Sequence, residues 1–339
     1  MNPTDFSKSL TNFLTRYLPG EKGVSKNTIV SYKDTFVLFL TFLKDRKEIP
    51  AKQLHLKDIS KEIVIDFLDW IEEERKCSIA TRNVRLAAIH SFFKFLQYQN
   101  PEELFLWQSI LSIPVKKTEK STINYLSLEG IKLLLEQPDQ SSRHGRRDLA
   151  LLSLMYDSGA RVQEMIDLTP AMIKLDTPCT VKLIGKGKKA RIVPLLEVQL
   201  KFLKRYMLEN KLLESHVNMY PLFINSKKEK LTRAGMNYIL TKYAKSAREK
   251  NLSLIPEKMS CHSLRHSKAM HLLQSGVNLV YIRDILGHSS IQVTEVYART
   301  DSRQKREAIE KAYTDVVPKE APSWLANDNL LEWLKSFPK

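Results

Sequence analysis

The sequence contains little cysteine, no long apolar run and no concentration of acidic residues. Its three cysteines, Cys77, Cys179 and Cys261, form no CxxC pair, which argues against a disulfide framework and predicts inert packing residues in a reducing compartment. No apolar run approaches the roughly 20 residues that span a bilayer. The N-terminus, MNPTDFSKSL, lacks the apolar core of a secretory signal. We therefore expect a cytoplasmic protein that does not bind a membrane.

Acidic side chains are also outnumbered, with 38 Asp and Glu against 54 Lys and Arg, which gives a formal net charge of +16. Most of the excess follows residue 120. Lysine and arginine displace the counterions that condense on phosphates, so nucleic acid is the first candidate partner. Charge by itself leaves an anionic membrane, or no particular partner, as alternatives.

Residues 1–113 are predicted to form a helical domain. Asn27 is a candidate N-cap for a helix whose apolar residues recur at spacings of three and four from Ile29 onwards, and two more apolar stripes follow. Such stripes are typical of the core of a helical bundle. The basic residues between them are candidates for contact with a DNA backbone, with an ordinary solvated helix face as the alternative. These residues are Lys26, Lys33, Arg82, Arg85 and Lys94.

A polar linker over residues 114–124, which begins at the helix breaker Pro114, separates this domain from a second one over residues 125–318. In the second domain Ser127 is a predicted N-cap for a helix over Leu128–Glu136, and the apolar run within Asp148–Asp157 predicts a buried helix. Residues 180–195 predict a β-hairpin with a basic Gly-Lys-Gly tip. Further helices are predicted over 197–209, 231–250, 263–275 and 278–286, so the fold class is mainly α with a small β-sheet.

Four clusters in the second domain carry reactive side chains but no matching set of carboxylates. They are SGARVQEM at 158–165, GKGKKAR at 185–191, HSLRH at 262–266 and LGHSSIQVTEVY at 286–297. Two-metal phosphoryl transfer requires clustered Asp and Glu to hold the ions, so no metal site is predicted. Cations and hydrogen-bond donors instead suit a phosphodiester whose transition-state charge is neutralised by side chains.

Each cluster taken alone has an ordinary explanation. His262 and His266 lie four residues apart and could bind a metal, but the glutamate of an HExxH motif is missing. The GKGKKAR segment alone is a basic turn, and the LGH segment alone is a helix end with Gly287 at the C′ position. Tyr297 alone would be a packing residue.

In this order and spacing the clusters resemble the active-site boxes of the tyrosine recombinase family, also called phage-type integrases, over essentially the whole chain. The family boxes are an arginine in a T/S-G-x-R-x-x-E context, a lysine in a GKGxK hairpin turn, an HxLRH helix, and LGH followed nine residues later by the nucleophilic tyrosine. No departure affects a catalytic position. The matching residues are Ser158, Gly159, Arg161 and Glu164, then Lys186, then His262, Arg265 and His266, then His288 and Tyr297.

The resemblance implies that Tyr297 attacks the scissile phosphate to give a 3′-phosphotyrosyl link, which conserves the bond energy and removes the need for a cofactor. Arg161 and Arg265 would contact the non-bridging oxygens. His262 would assist deprotonation of the tyrosine, Lys186 would protonate the leaving 5′-oxygen, and His288 would hydrogen-bond the phosphate. Glu164 and His266 would support these groups. Lys188 and Lys189 would contact DNA.

The same resemblance implies a two-domain, C-shaped clamp around double-stranded DNA, and a nucleoid-associated protein that is a monomer or dimer when free. A homotetramer would exchange strands at inverted-repeat core sites through a Holliday junction. About 25 residues precede the first strong helix, so we expect no extra N-terminal arm-site domain and a Xer-like or transposon-borne member. The apolar residues of the tail at 319–339 indicate docking. The resemblance implies a helix that docks on a neighbouring protomer, with packing on its own domain as the alternative.

Two other functions remain open at this point. A type IB topoisomerase shares this chemistry but lacks site specificity, and a regulator could bind DNA without cutting it. The sequence leaves open the target site, the choice among integration, excision, transposition and dimer resolution, and any need for accessory proteins or a partner recombinase.

Overall fold

A computed structural model describes residues 3–118, 124–300 and 330–336. The chain divides into two compact units, Met1–Ser121 and Thr122–Lys339. The described residues are mainly helical with one small sheet, which confirms the predicted fold class. Among them, no helix is both long and apolar enough to cross a bilayer.

The first unit is a helical bundle whose longer helices begin at serine caps. Its helices are α1 (Asp5–Asn12), α2 (Lys26–Lys47), α3 (Lys61–Glu73), α4 (Ile79–Gln99) and α5 (Leu104–Leu111). The hydroxyl groups of Ser25, Ser60 and Ser78 accept hydrogen bonds from backbone amides in the first turns of α2, α3 and α4. The predicted cap at Asn27 is therefore wrong: Ser25 has the extended backbone that a cap requires, and Asn27 lies inside the helix.

The helical domain predicted over residues 1–113 has no individually assigned helix before residue 25, and α1 and a following π-helical segment, Phe13–Glu21, occupy this region. Pro19 lies inside the π-helical segment, where its backbone nitrogen has no hydrogen to donate. Phe13 is fully buried, and its ring lies 5.3 Å from that of Phe92 on α4. The N-terminal segment therefore contributes to the core of the first unit.

The second unit consists of a three-stranded antiparallel sheet and helices. The strands, in the order β1-β2-β3, are Ile173–Lys174, Thr180–Ile184 and Ala190–Pro194, with Val181 opposite Val193 in the β2–β3 pair. This pair confirms the predicted hairpin. The helices are α6 (Leu128–Leu135), α7 (Arg143–Ser158), α8 (Val162–Ile166), α9 (Glu197–Glu209), α10 (Arg233–Lys250), α11 (Cys261–Gln274), α12 (Leu279–Leu286), α13 (Gln292–Thr300) and α14 (Leu330–Lys335).

Local signals predicted several of these elements correctly. Ser127 caps α6 through the amide of Gly130, and α7 is buried along its length from Asp148 to Ser158. Gly287 follows α12 with a left-handed φ of 66°, as the LGH pattern predicts. Cys179 and Cys261 are buried free thiols, which is consistent with packing roles.

The predicted tail helix is described only over α14. Leu331 and Leu334 on this helix are exposed. The rest of the predicted docking segment, including Trp324, lies outside the described residues, so docking stays a prediction.

Candidate active site

The four sequence clusters meet at one place in the second unit. Arg161 lies at the start of α8, just after α7 ends at Ser158, and the basic cluster forms the β2–β3 hairpin. Arg265 lies on α11, and the last cluster runs from the end of α12 into α13. Residues more than 100 positions apart are therefore joined by direct hydrogen bonds.

Arg265 is buried, with 3% of its surface exposed, and its fork spans two elements of the site. Nη1 donates to the carbonyl oxygen of Gly159 and Nη2 to that of Leu286, both at 2.6 Å. Burial, together with the nearby cations Arg161 and Arg191, lowers the pKa of Arg265 to about 10. The guanidinium remains charged at neutral pH in a place where an anion would be stabilised.

Arg161 is the more accessible of the two predicted phosphate-binding arginines, with 33% of its side chain exposed. Its Nη2 donates to the carbonyl oxygen of Gly287 at 2.9 Å, and its Nη1 donates to Oε1 of Glu164 at 2.8 Å. Arg161 and Arg265 are thus held by the successive carbonyls of Gly287 and Leu286, which brings the two guanidinium groups side by side.

Glu164 is buried between two arginines. Its carboxylate accepts hydrogen bonds from Arg161 and, through both oxygens, from Arg191 at 2.8 and 2.7 Å. Burial alone would raise the pKa of Glu164, but the hydrogen bonds from Arg191 and Arg161 lower it to about 2. Glu164 therefore carries a negative charge throughout the neutral range, and Arg161 and Arg191 share its carboxylate.

Arg191 is a site residue that the sequence pattern does not single out, because the GKGKKAR segment alone is typical of a basic hairpin turn. Its side chain is only 11% exposed, and its Nε donates to the carbonyl oxygen of Ile285 at 2.7 Å. A signal was present in the strand pattern. Arg191 lies two residues before the buried Val193 and therefore shares its face of β3.

Tyr297 is 4% exposed and packs against the histidines of the site. Its phenolic oxygen lies 2.8 Å from Nδ1 of His266, and the ring of His262 stacks 6.1 Å from that of His266. The resemblance implies that His262 takes the tyrosine proton, but the ring at hydrogen-bonding distance is that of His266, one helical turn later. Burial raises the pKa of Tyr297, while the charges of Arg265 and Arg161 oppose the rise.

His288 completes the described site as an uncharged ring. Its Nδ1 lies 2.9 Å from the hydroxyl oxygen of Thr294, and its ring stacks 6.3 Å from that of Tyr297. Burial, and then the charges of Arg265, Arg161 and Arg191, lower its pKa to about 4. His288 is therefore neutral at physiological pH, and it can donate a hydrogen bond without adding a further positive charge beside the arginines.

The tip of the β2–β3 hairpin begins at Gly185, beside the side chains of Glu164 and Arg161. Gly187 has a left-handed φ of 74°, which closes the turn, and Lys188 and Lys189 are exposed. The backbone of Lys186 lies in this turn. The side chain of Lys186 lies outside what the structure describes, so its predicted role stays a prediction.

The basic candidates of the first unit differ in exposure. Lys26, Lys33 and Lys94 are exposed and remain candidates for DNA contact. Arg82 is only 4% exposed and donates to the carbonyl oxygen of Pro114 at 3.2 Å, whereas Arg85 donates to Ser31 and Thr35 on α2. Both arginines make contacts within the unit, and their contact with DNA stays a prediction.

The metal alternative gains no support within the described residues, where no group of three or more His, Cys, Asp or Glu side chains is placed to hold an ion. His266 is engaged with Tyr297, and the His262 and His266 ring centroids are 6.1 Å apart.

The chain is similar to known proteins of one family. Residues 124–304 match the model of the phage integrase family, and residues 11–100 match its N-terminal SAM-like domain. The chain is 32% identical to a putative integrase/recombinase, y4rC, of Sinorhizobium fredii, over 97% of both chains. It is 31% identical to the tyrosine recombinase XerD of Staphylococcus epidermidis, over 88% of this chain and 95% of that protein.

Solved structures share the fold. The XerH site-specific recombinase, in its post-cleavage complex with a palindromic difH substrate, superposes with a TM-score of 0.69 at 23% identity, over 85% of this chain and 81% of XerH. The integrase of the Tn1549 transposon, bound to transposon right-end DNA, gives a TM-score of 0.68 at 14% identity, over 88% of this chain and 98% of that one.

Proposed function

The chain belongs to the phage integrase family and is a site-specific tyrosine recombinase, and from that premise we propose that Tyr297 is its nucleophile and that Arg161 and Arg265 bind the scissile phosphate. The observation that supports this assignment best is the pair of guanidinium groups held by the carbonyls of Leu286 and Gly287. These carbonyls immediately precede His288 and α13, the helix that carries Tyr297. The nucleophile and the cations are therefore positioned by one segment.

In the proposed reaction the phenolic oxygen of Tyr297 attacks the scissile phosphorus, and the bond from phosphorus to the 5′-oxygen breaks. A 3′-phosphotyrosyl link forms in place of the phosphodiester, so the reverse attack by a 5′-hydroxyl of another strand rejoins DNA without a cofactor. Arg161 and Arg265 neutralise the charge that grows on the non-bridging oxygens during both steps. Arginine suits this role because its planar fork makes two parallel hydrogen bonds to a phosphate.

Two proton transfers accompany the bond changes. The proton of Tyr297 passes to His266, whose Nδ1 lies 2.8 Å away and whose pKa is lowered by burial and by neighbouring cations, which leaves the ring free to accept. Lys186 at the hairpin tip donates a proton to the leaving 5′-oxygen. The neutral His288 hydrogen-bonds a non-bridging oxygen.

The wider setting belongs to the same proposal. The chain binds double-stranded DNA at inverted-repeat core sites, with Lys188, Lys189 and the exposed lysines of the first unit on the backbone, and it assembles as a tetramer on two such sites. The fold shared with recombinases whose structures contain DNA supports the choice of partner. The clamp around DNA and the cytoplasmic, nucleoid-associated location stay predictions.

Covalent trapping tests the proposal. Purified protein is mixed in EDTA with nicked duplexes that cover the DNA flanking its own gene, and the products are separated on a denaturing gel. We expect a shifted protein–DNA band that is joined to a 3′ end and is absent with Tyr297→Phe. A band that persists in Tyr297→Phe would disprove the nucleophile. DNA cleavage that requires a divalent metal and leaves no covalent protein–DNA product would favour metal-assisted hydrolysis.

Two controls separate the remaining alternatives. Relaxation of a supercoiled plasmid that lacks any target site would indicate a type IB topoisomerase. Binding of the flanking duplexes without any covalent product would indicate a DNA-binding regulator.

A further inference from the structure

Arg191, at the end of the hairpin cluster, bonds through its side chain to Glu164 of the first cluster and to Ile285, the residue just before the last cluster. It extends from β3, binds the carboxylate of Glu164 with two parallel hydrogen bonds, and donates from Nε to the carbonyl oxygen of Ile285. These partners lie 27 and 94 residues away in sequence. None of the roles proposed for the reaction steps involves Arg191, so they do not explain this arrangement.

The contact with Glu164 affects Arg161 directly. Oε1 of Glu164 accepts from Nη1 of both arginines at 2.8 Å, and Oε2 accepts from Nη2 of Arg191 and from the backbone amide of Arg161. Arg191 therefore fixes the orientation of the carboxylate that orients Arg161. It also offsets the charge of Glu164, which would otherwise be balanced by Arg161 alone and would weaken the attraction of Arg161 for a phosphate.

The contact with Ile285 affects the other end of the site. The end of α12 turns sharply at Gly287, where a β-carbon would lie 2.9 Å from Nη1 of Arg191. Arg191 is thus packed tightly beneath the carbonyls of Leu286 and Gly287 that hold Arg265 and Arg161. A change in the position of Arg191 displaces these acceptors together with the start of the Tyr297 segment.

We propose that Arg191 is a positioning residue for DNA cleavage: it sets the orientation and the available charge of Arg161 through Glu164, without touching DNA itself. The inference rests on the proposed function, because it assigns Arg161 to the scissile phosphate. Arginine is required, since a lysine would keep the charge but could not make two parallel bonds to Glu164 and a third to Ile285.

The experiment compares Arg191→Lys and Arg191→Ala with a matched control, Arg146→Ala. Arg146 also binds a carboxylate, that of Glu209 at 2.8 Å, and two backbone carbonyls, those of Gln140 and Ser141. It lies near the start of α7, about 18 Å along the helix from the end that leads to Arg161. The readouts are thermal unfolding, equilibrium binding of the duplex identified by trapping, and single-turnover cleavage.

A second substrate tests whether Arg191 acts through the contact between Arg161 and the scissile phosphate. In a methylphosphonate duplex a methyl group replaces one non-bridging oxygen of the scissile phosphate, which removes the negative charge that Arg161 neutralises. We expect Arg191→Lys to bind the natural duplex like wild type but to cleave it about 10- to 100-fold more slowly. On the methylphosphonate duplex its rate should approach that of the wild type, as should the rate of Arg161→Ala, and Arg146→Ala should match wild type on both.

Each other outcome overturns the inference. Cleavage of the natural duplex by Arg191→Lys at the wild-type rate shows that the fork is not needed. Equal slowing of Arg191→Lys on the natural and the methylphosphonate duplex shows a general structural role. Because this test uses the lysine variant, it can be read even where Arg191→Ala fails to fold. Absence of a covalent product already in the wild type overturns the proposed function as well, so the two failures are distinguishable.

Discussion

Nδ1 of His266 lies 2.8 Å from the phenolic oxygen of Tyr297, and this contact links the nucleophile to α11. His262, one turn earlier on the same helix, lies behind His266 rather than against the tyrosine, with the two ring centroids 6.1 Å apart. The HxLRH pattern places both rings on one helix face but does not tell which turn the tyrosine approaches. The path of the chain from Gly287 to α13 selects the second one.

We expect His266→Ala to slow single-turnover cleavage about 100-fold, because the group that accepts the tyrosine proton is lost. Duplex binding should be retained, since His266 points at Tyr297. His262→Ala is the matched variant on the same helix face and should affect this step less. A larger loss in His262→Ala, together with near-normal cleavage by His266→Ala, would return the proton transfer to His262.

Arg265→Lys should abolish most cleavage, with a loss of about 10²- to 10³-fold, because a single ammonium cannot span the carbonyls of Gly159 and Leu286 and also bind a phosphate. Arg161→Ala and Arg265→Ala should be equally defective while binding DNA largely as wild type. Gel-shift titration and covalent trapping on the same duplex measure the two properties. Recombination at near wild-type rate by any of these variants would show that Arg161 and Arg265 do not bind the scissile phosphate. Arg205→Lys, on the exposed face of α9, serves as the control.

Lys186→Ala should be inactive on a natural duplex but active on one whose scissile bond ends in a 5′-thiol leaving group. A thiolate leaves without a proton, so a missing general acid becomes unimportant. The measurement is the ratio of cleavage rates on the two duplexes for wild type, Lys186→Ala and Lys188→Ala. If the thiol substrate fails to restore Lys186→Ala, another residue supplies the proton.

The imidazole of His288 should titrate at a pKa of about 4 in the DNA-free protein, because burial and three nearby arginines disfavour its charged form. The group is thus neutral at every pH above about 5. A bound phosphate offsets the arginine charges, so the pKa should rise on the trapped duplex. NMR titration of histidine-labelled protein, with the signal assigned through His288→Gln, follows both states. A midpoint near 6.5 without DNA would contradict the described environment.

Deletion of residues 319–339 should weaken synapsis of two sites more than binding to one site, if the tail docks on a neighbouring protomer. Leu331 and Leu334 are exposed on α14, and Leu334→Asp provides a substitution that keeps the chain length. Native gels with one and two duplexes separate the two steps. Full recombination by the truncated chain would show that the tail is dispensable.

Local chemistry made some elements readable from the sequence and left others hidden. Ser127, the continuous apolar run of α7 and the turn at Gly187 act within a few residues, so their patterns predicted the structure. The inward arginines are different. Arg82 lies four and seven residues before the buried Leu86 and Ile89, and therefore on the buried face of α4. This spacing indicates a buried position, but a charged side chain is ordinarily expected to face solvent.

The partners of Arg191 could not be predicted in the same way. The strand pattern places its side chain on the core side, but Glu164 and the carbonyl of Ile285 reach it only after the sheet and α12 have packed. The contact of His266 with Tyr297 likewise depends on tertiary structure. Motif spacing predicted which side chains share one site, whereas the hydrogen bonds that orient them depend on tertiary packing.

The acceptors of the arginines give the site an uneven mutational robustness. Gly159, Ile285, Leu286 and Gly287 all contribute main-chain carbonyls, and no side-chain replacement can delete such an acceptor. Genetic drift at Ile285 and Leu286 can therefore proceed without loss of these bonds. The vulnerable positions are Glu164, the one acidic side chain bonded to these arginines among the described residues, and the two glycines, whose left-handed backbone and close neighbours leave no room for a β-carbon.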